Sequence, residues 1–554
     1  MQAQPDAGEV PMTQMTTGQA IVQSLLAHDV DTMFGIPGAH MYDFNDACWE
    51  HRDQLRFIVT RHEQGAGYMA YGYAKSTGKV GTYTVVPGPG MLNSSAALCT
   101  AYGANTPVLC ITGNIMSHLI GQGRGQLHEL PDQLATMRGL TKWAERINHP
   151  TEAPSVVAEA FRQLQSGRIR PVAVEAPWDV FGMRGEVNLD VPMEPPPPPA
   201  PDPDAISRIA DIIKDASNPL IMVGAGALDA GEEILELAKL LQAPVTAHRS
   251  GKGIVSEDSP YGMSFAAAFE YWKKADVLIG IGSRLELAYF RWRWFPKNIK
   301  VVRVDIDPTE FVRLKPDAGV VTDAALGTRA LIDKLSSSIS LRSNREKEFE
   351  ATKASGLKAI QAVQPQMDYL NVIRDVLPRD GFFVEEISQV GFTSRFGFPV
   401  YEPRHFVTCG YQDNLGFGFN TALGVKVAHP DKPVVAVCGD GGFMFGVQEL
   451  ATAVHHKINL VTIIFNNQAY GNVRRDQQTS YGGHLIGADL TNPDFVRLAE
   501  SFGAAGYRVK TPSELRTALE RAFKDDLPVV IDVTVETGSE VSPWSFIHPA
   551  APVE

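Results

Sequence analysis

The chain has 554 residues, 44 % hydrophobic and 20 % charged, with a formal net charge of −13. That length accommodates about three domains of ordinary size, and the composition excludes a disordered or fibrous chain. The acidic balance disfavours nucleic acid as a partner without choosing another. No run suits a membrane span, and MQAQPDAGEV lacks the basic and apolar regions of a leader, so no membrane partner and a cytoplasmic location are expected. Cys48, Cys99, Cys110, Cys409 and Cys438 are odd in number, never spaced CxxC, and lie mostly in apolar runs. They read as buried thiols of a reducing compartment.

Along the chain, Thr17 to His28 has amphipathic helical spacing, and Thr32-Met33-Phe34 is a short strand before the turn Gly35-Ile36-Pro37-Gly38. Leu55 to Thr60 is a second strand, ending at Arg61-His62-Glu63-Gln64-Gly65, after which a helix runs through Ala70, Tyr73 and Ala74. Strands at Val80 to Val86 and Pro107 to Thr112 follow, closed by Pro87-Gly88-Pro89-Gly90 and by Gly113. The alternation predicts a doubly wound parallel sheet, in a first domain over 1–185. The prolines from Pro195 to Pro199, with Pro201 and Pro203, form a semi-rigid spacer.

A central α/β domain is expected over 200–340, with strands at Leu220 to Val223, Val277 to Ile281 and Val301 to Ile306. Gly224 and Gly226 invite a dinucleotide reading. The next glycine is Gly231, however, so GxGxxG is not met and tight strand-to-helix turns account better for them. From Ser336 to about Gln366 the chain is polar with helical spacing, a solvated connector. A third domain is expected over 366–554, and its aromatic tail, Trp544 to Pro549, reads as a packed surface segment.

The third domain holds the most informative stretch, VVAVCGDGGFMFGVQELATAVHHKINLVTIIFNNQAYGNVRRDQ, from Val434 to Gln477. A buried strand ends at Gly439-Asp440-Gly441-Gly442. The spacing of Phe445, Val447, Leu450, Ala451 and Val454 predicts a helix opened by that turn. A second strand, Leu460 to Phe465, ends in Asn466-Asn467. Asp440 and Asn467 thus fall at the carboxyl ends of neighbouring parallel strands, where open α/β sheets bind ligands. Glycine-bared amides attract phosphate, and a carboxylate with an amide oxygen suits Mg²⁺. The expected guest is a metal-bound diphosphate.

GDG followed by NN resembles the thiamine diphosphate motif of the acetolactate synthase, pyruvate decarboxylase and benzoylformate decarboxylase superfamily. The resemblance implies that Asp440, Asn467 and the Ala469 carbonyl bind Mg²⁺. It places Gly439, Gly441, Gly442, Asn467, Tyr470 and Gly471 around the coenzyme, with Gln389 on the diphosphate and Gly38 at the other half-site. Asp413-Asn414-Leu415-Gly416 resembles the stretch under the coenzyme's bent waist. There Leu415 would hold the bend and the Asp413 carbonyl would accept the 4′-amino group. Arg61-His62-Glu63-Gln64-Gly65-Ala66 followed by Gly72-Tyr73-Ala74 resembles the family's RHEQGA…GYA signature, which makes Glu63 the carboxylate that activates the coenzyme through its pyrimidine. That role calls for an apolar pocket. On residue pattern alone Glu63 is equally a helix-capping glutamate, and Leu415 a core residue. In the family the pyrimidine and diphosphate halves meet across a subunit interface, which implies a homodimer at the least and commonly a homotetramer.

Within the superfamily the motifs divide. Gln448 to Ala453 and Asn492-Pro493-Asp494-Phe495 resemble acetolactate synthases, but Asp476 stands where those enzymes carry a tryptophan and Ala39-His40 replaces their two-glycine loop. FAD is therefore possible but not favoured. Gly38-Ala39-His40, Leu127-His128 through Asp132-Gln133, and Thr141 to Ala144 resemble benzaldehyde lyase, with His128 at that enzyme's active-site glutamine and Gly391 at its tyrosine. The combined reading is a carboligase or lyase acting on a 2-oxo acid, aldehyde or 2-hydroxy ketone, with His40 and His128 handling substrate protons. Each could equally satisfy a buried hydrogen bond; His62 and His118 read as structural. The alternatives are acetolactate synthase or a 2-oxo acid decarboxylase proper, an FAD-linked oxidase, a 2-hydroxyacyl-CoA lyase, and a non-catalytic protein of the same fold.

Overall fold

The computed structural model describes residues 12–192, 194–340 and 342–552. The chain divides into two compact units, one of residues 1–74 and 78–197, the other of 75–77 and 198–554.

The first unit is built on a six-stranded sheet in the order Arg56–Val59, Thr32–Gly35, Gly81–Val85, Val108–Asn114, Val172–Pro177, Trp143–Arg146. Every pairing in it is parallel. Gly81–Val85 and Val108–Asn114 are buried at every residue, as strands covered on both faces must be. Helix Thr17–Ala27 starts from a capping box between Thr16 and Gln19, and Ala153–Gln165 turns Val157, Phe161 and Leu164 inward. Met12–Thr16 and Arg184–Asn188 add an antiparallel ribbon.

The second unit carries two more six-stranded parallel sheets. The middle one runs Gly262–Met263, Val245–Ala247, Pro219–Val223, Val277–Ile281, Lys300–Asp305, Ala318–Val321. The last runs Phe406–Val407, Phe382–Glu385, Val434–Gly439, Val461–Asn466, Val529–Thr534, Ala505–Val509. Their apolar residues form one continuous core. The architecture is the expected one, α/β with three doubly wound parallel sheets. Gly224 and Gly226 serve as tight packing points: a Cβ on Gly224 would lie 2.5 Å from the Gly282 carbonyl oxygen, and one on Gly226 3.0 Å from Gly282 Cα.

Three local expectations change. The helix after Gly442 is broken into Asp440–Phe443, a 3₁₀ turn Val447–Glu449, and Leu450–His455. Gly446 interrupts it, because a Cβ there would strike the Asn420 amide at 2.4 Å. The polar connector is a helix, Glu346–Ile360, whose Phe349 is fully buried against Tyr261 and Tyr271. Cys99 is exposed, while the other four cysteines are buried.

Chain direction reverses about the first strand of each sheet. In the first unit this leaves a crevice between the ends of Thr32–Gly35 and Gly81–Val85, and in the last sheet between Phe382–Glu385 and Val434–Gly439. Such switch points are where α/β sheets receive ligands.

Candidate functional site

In the first unit, Glu63, His40 and His128 all border one turn, Val86 to Gly90. His40 follows the Pro37-Gly38 corner at the switch point, and that corner is pinned because a Cβ on Gly38 would meet Val86 Cγ1 at 2.6 Å. His128 crosses the turn from above: a Cβ on Gly88 would lie 2.5 Å from its carbonyl oxygen. Glu63 reaches the far side, its Oε1 3.3 Å from where a Cβ on Gly90 would stand. The turn itself is held from beneath. Gly88 N donates to Gln133 Oε1 at 2.8 Å, and Gln133 Nε2 donates to Glu175 Oε2 at 2.7 Å. Arg146 and Asn114 complete the network on Glu175 Oε1.

His40 and His128 face each other edge to face with ring centroids 5.2 Å apart, and Trp178 flanks His40 at 4.9 Å. Both take left-handed backbone, φ 69° and 65°, a strained choice for residues with side chains. The Nδ1 atoms of both rings are buried without a hydrogen-bond partner. Burial, and secondarily the neighbouring His128, lowers the His40 pKa from 6.5, so its imidazole is neutral at neutral pH. Glu63 is the first residue of helix Glu63–Thr77, but the cap is His62, whose side chain accepts from Gln64 N. The glutamate is half-buried, and its Oε2 accepts from Asn93 Nδ2 at 3.0 Å.

The second unit carries the other predicted residues at the edge of its last sheet. The register Gly439↔Phe465 sets Asp440 beside Asn466-Asn467. Asp440 Oδ1 accepts from Gly441 N at 2.8 Å and Oδ2 from Asn492 Nδ2 at 2.7 Å. Burial raises the Asp440 pKa. Asn467 Oδ1 accepts from Ala469 N at 3.1 Å, and its amide donates to Glu540 Oε2 at 2.7 Å. Between them Gln468 is left-handed at φ 56°, turning the segment back so that Tyr470 N and Leu490 N pair it with 488–490. Gln389 is buried and accepts Arg475 Nη1 at 2.8 Å. Leu415 is half-buried, so in this chain it is no core residue.

These residues fit a metal-bound diphosphate. A Cβ on Gly441 would strike the Tyr470 ring at 2.5 Å, one on Gly442 the Glu386 carboxylate at 2.6 Å, and one on Gly471 the Asn467 amide at 2.9 Å. Bare backbone is therefore required along the whole cradle. The donor set is one carboxylate, one amide and one carbonyl, all hard oxygen. Among the described residues no group of three or more His, Cys, Asp or Glu could hold a metal.

Sequence reasoning missed four residues here. Glu386 lies fully buried under Gly442, accepts from Gly416 N at 2.7 Å, and is pushed up to about 7 by burial. Asn492 fixes Asp440. Glu540, raised by burial with Asp440 adding to it, comes from beyond the last strand to hold Asn467. Arg475 lies against Gln389. Asn492 carried a signal inside its NPDF motif, and Arg475 lies in the stretch from Val434 to Gln477; Glu386 and Glu540 belong to segments whose local pattern says nothing of a site.

The α/β fold and the glycine cradle with its hard-oxygen donors suit a diphosphate-bearing coenzyme. The comparisons agree. Residues 15–136, 206–331 and 386–533 match the models of the thiamine pyrophosphate enzyme N-terminal TPP-binding, central and C-terminal TPP-binding domains. The chain belongs to the thiamine pyrophosphate enzyme family. It is 32 % identical to a "probable acetolactate synthase large subunit" of Methanococcus aeolicus, over 95 % of this chain and 93 % of that one. It is 31 % identical to a "probable 2-ketoarginine decarboxylase" of Pseudomonas aeruginosa, with 93 % of each covered. It is also 31 % identical to the acetolactate synthase large subunit of Haemophilus influenzae, with 97 % of each covered. The protein is thus a thiamine diphosphate-dependent enzyme of the acetolactate synthase and decarboxylase type. Among the described residues no helix is long and apolar enough to cross a membrane.

Proposed function

We propose that the enzyme is a Mg²⁺-dependent carboligase and lyase that makes or breaks the C–C bond beside a carbonyl, acting on 2-oxo acids, aldehydes or 2-hydroxy ketones. The observation that carries this reading is the facing pair His40 and His128, with an unpaired buried nitrogen on each ring. Bound thiamine diphosphate supplies the electron sink on which such bonds are exchanged. Asp440, Asn467 and the Ala469 carbonyl would hold its cation, the amides at Gly441 and Gly442 would meet the diphosphate, and Leu415 would pack against the coenzyme. Glu63 hydrogen-bonds the pyrimidine and activates the coenzyme.

The histidines supply the proton transfers. Cleavage of a 2-hydroxy ketone needs a base for the hydroxyl proton, and ligation needs the same proton returned. An imidazole takes that proton as the neutral base and, once protonated, returns it. Ala39, beside them, offers neither carboxylate nor hydroxyl, so simple release of aldehyde is disfavoured against capture by an acceptor.

The names of the relatives favour a second reading, an acetolactate synthase or a 2-oxo acid decarboxylase proper. Product analysis with a panel of 2-oxo acids, aldehydes and acyloins separates the two, with pyruvate and 2-ketoarginine in the panel. The first reading expects acyloin formation or cleavage to exceed aldehyde release. Release of aldehyde alone from every 2-oxo acid would overturn it. The proposed assembly is a homodimer or homotetramer, measurable by light scattering.

A further inference from the structure

A row of alternating charges passes through Asp413. Arg395 gives its Nε to both oxygens of Glu385, at 3.1 and 3.0 Å, and its Nη2 to Asp413 Oδ1 at 2.7 Å. Asp413 Oδ2 accepts Arg249 Nη2 at 2.9 Å, from the loop after strand Val245–Ala247 of the middle sheet. The same Nη2 lies 3.4 Å from Glu286 Oε1, which Arg291 Nη2 meets at 2.7 Å. Glu385, Arg395 and Arg249 are at most 3 % exposed. Burial would raise the Asp413 carboxyl, but the two guanidiniums outweigh it and hold it below the usual carboxylate range.

Stability alone explains this arrangement poorly. Arg249 uses one nitrogen for both acids and leaves its Nε and Nη1 buried without partners, and buried unpaired donors work against folding. Asp413 and Arg249 are both left-handed, at φ 45° and 54°. Glycine would serve a backbone that only had to turn that way. An aspartate gripped on both oxygens also fixes where the peptide at 413 points.

The geometry points to Arg249 and Arg395 as positioning residues that set the direction of the Asp413 carbonyl, and so couple the middle sheet to activation of the coenzyme's aminopyrimidine. The inference rests on the proposed function, in which that carbonyl accepts the 4′-amino group. Arg249 can be removed without stranding a charge, since Asp413 keeps Arg395 and Glu286 keeps Arg291.

The test compares wild type, Arg249→Met, Arg249→Lys and Glu63→Gln, each as full chain loaded with thiamine diphosphate and Mg²⁺. The readouts are C2 hydrogen–deuterium exchange of the bound coenzyme, the circular-dichroism band of its iminopyrimidine form, coenzyme affinity by fluorescence, and melting temperature without coenzyme. Arg249→Met is expected to slow exchange by about tenfold or more, with the band lost, affinity within about threefold, and Arg249→Lys recovering part of the rate. If Arg249→Met keeps wild-type exchange and band while Glu63→Gln loses both, the positioning role falls and the site reading stands. If neither variant changes them, both fall together. A drop in coenzyme-free melting temperature for Arg249→Met and Arg249→Lys, with normal exchange in the folded fraction, assigns Arg249 to stability and also overturns the proposal.

Discussion

The rings of His40 and His128 stand 5.2 Å apart, edge to face, each presenting an unpaired Nδ1 beside the turn that also contacts Glu63. Neither Nδ1 completes a core hydrogen bond. His40→Ala and His128→Ala should each slow acyloin formation and cleavage by more than about tenfold while leaving coenzyme affinity unchanged. Because burial lowers the His40 pKa, the rate of cleavage, which needs the neutral base, should rise with pH through a value below 6.5 and stay level above it. Wild-type rates in both variants would return the histidines to a structural role.

In the proposed function Asp440 and Asn467 would hold the cation from two neighbouring strands. Removing the only charged ligand in Asp440→Ala should abolish retention of coenzyme and Mg²⁺ through gel filtration. Since burial raises the Asp440 pKa, protons should compete with Mg²⁺ at a higher pH than for an ordinary carboxylate, so coenzyme content should fall as pH is lowered. Coenzyme content unchanged in the variant, and after dialysis against a chelator, sinks the assignment.

Glu540 holds the Asn467 amide at 2.7 Å. Outer-shell partners of metal ligands typically contribute 10–100-fold to affinity, so Glu540→Ala should weaken Mn²⁺ binding, read by electron paramagnetic resonance, by roughly tenfold. Glu540→Gln keeps the acceptor and should recover most of it. Equal affinities in all three proteins would leave the glutamate as packing only.

Glu386 tests the buried floor of the cradle. Its pKa is raised from 4.5 to about 7 by burial, so the folded state holds a proton that the unfolded state has lost. Stability from this group is therefore full below pH 4.5, falls as pH rises to about 7, and is level beyond. The loss is on the order of 3 kcal/mol. Denaturant titrations from pH 5 to 8 should show that slope in wild type and not in Glu386→Gln; identical slopes refute the assignment.

Much of the site was legible in the sequence because its requirements are local. Backbone must come bare at Gly441, Gly442 and Gly471, hard oxygen must follow a strand end at Asp440 and Asn467, and a carboxylate must open a helix at Glu63. Each of these is written within a few residues. The strand Val434–Gly439 was equally plain, since burial on both faces favours an unbroken apolar run.

What the tertiary structure decided depends on residues far apart in the chain. Trp143–Arg146 is partly polar and pairs only because Val172–Pro177 offers it an edge. The helix expected after Gly442 breaks at Gly446, where Asn420 from another helix occupies the space of a side chain. By position alone His40 and His128 each suit a buried hydrogen bond as well as substrate proton transfer; only the fold sets their rings together. Glu386, Glu540, Arg395 and Arg249 carry no motif, because a buried charge is defined by what surrounds it; Asp413 was marked by its motif, but its grip by two arginines was not. Local chemistry is encoded in spacing along the chain, whereas desolvation and charge pairing come into being only when distant segments exclude water together.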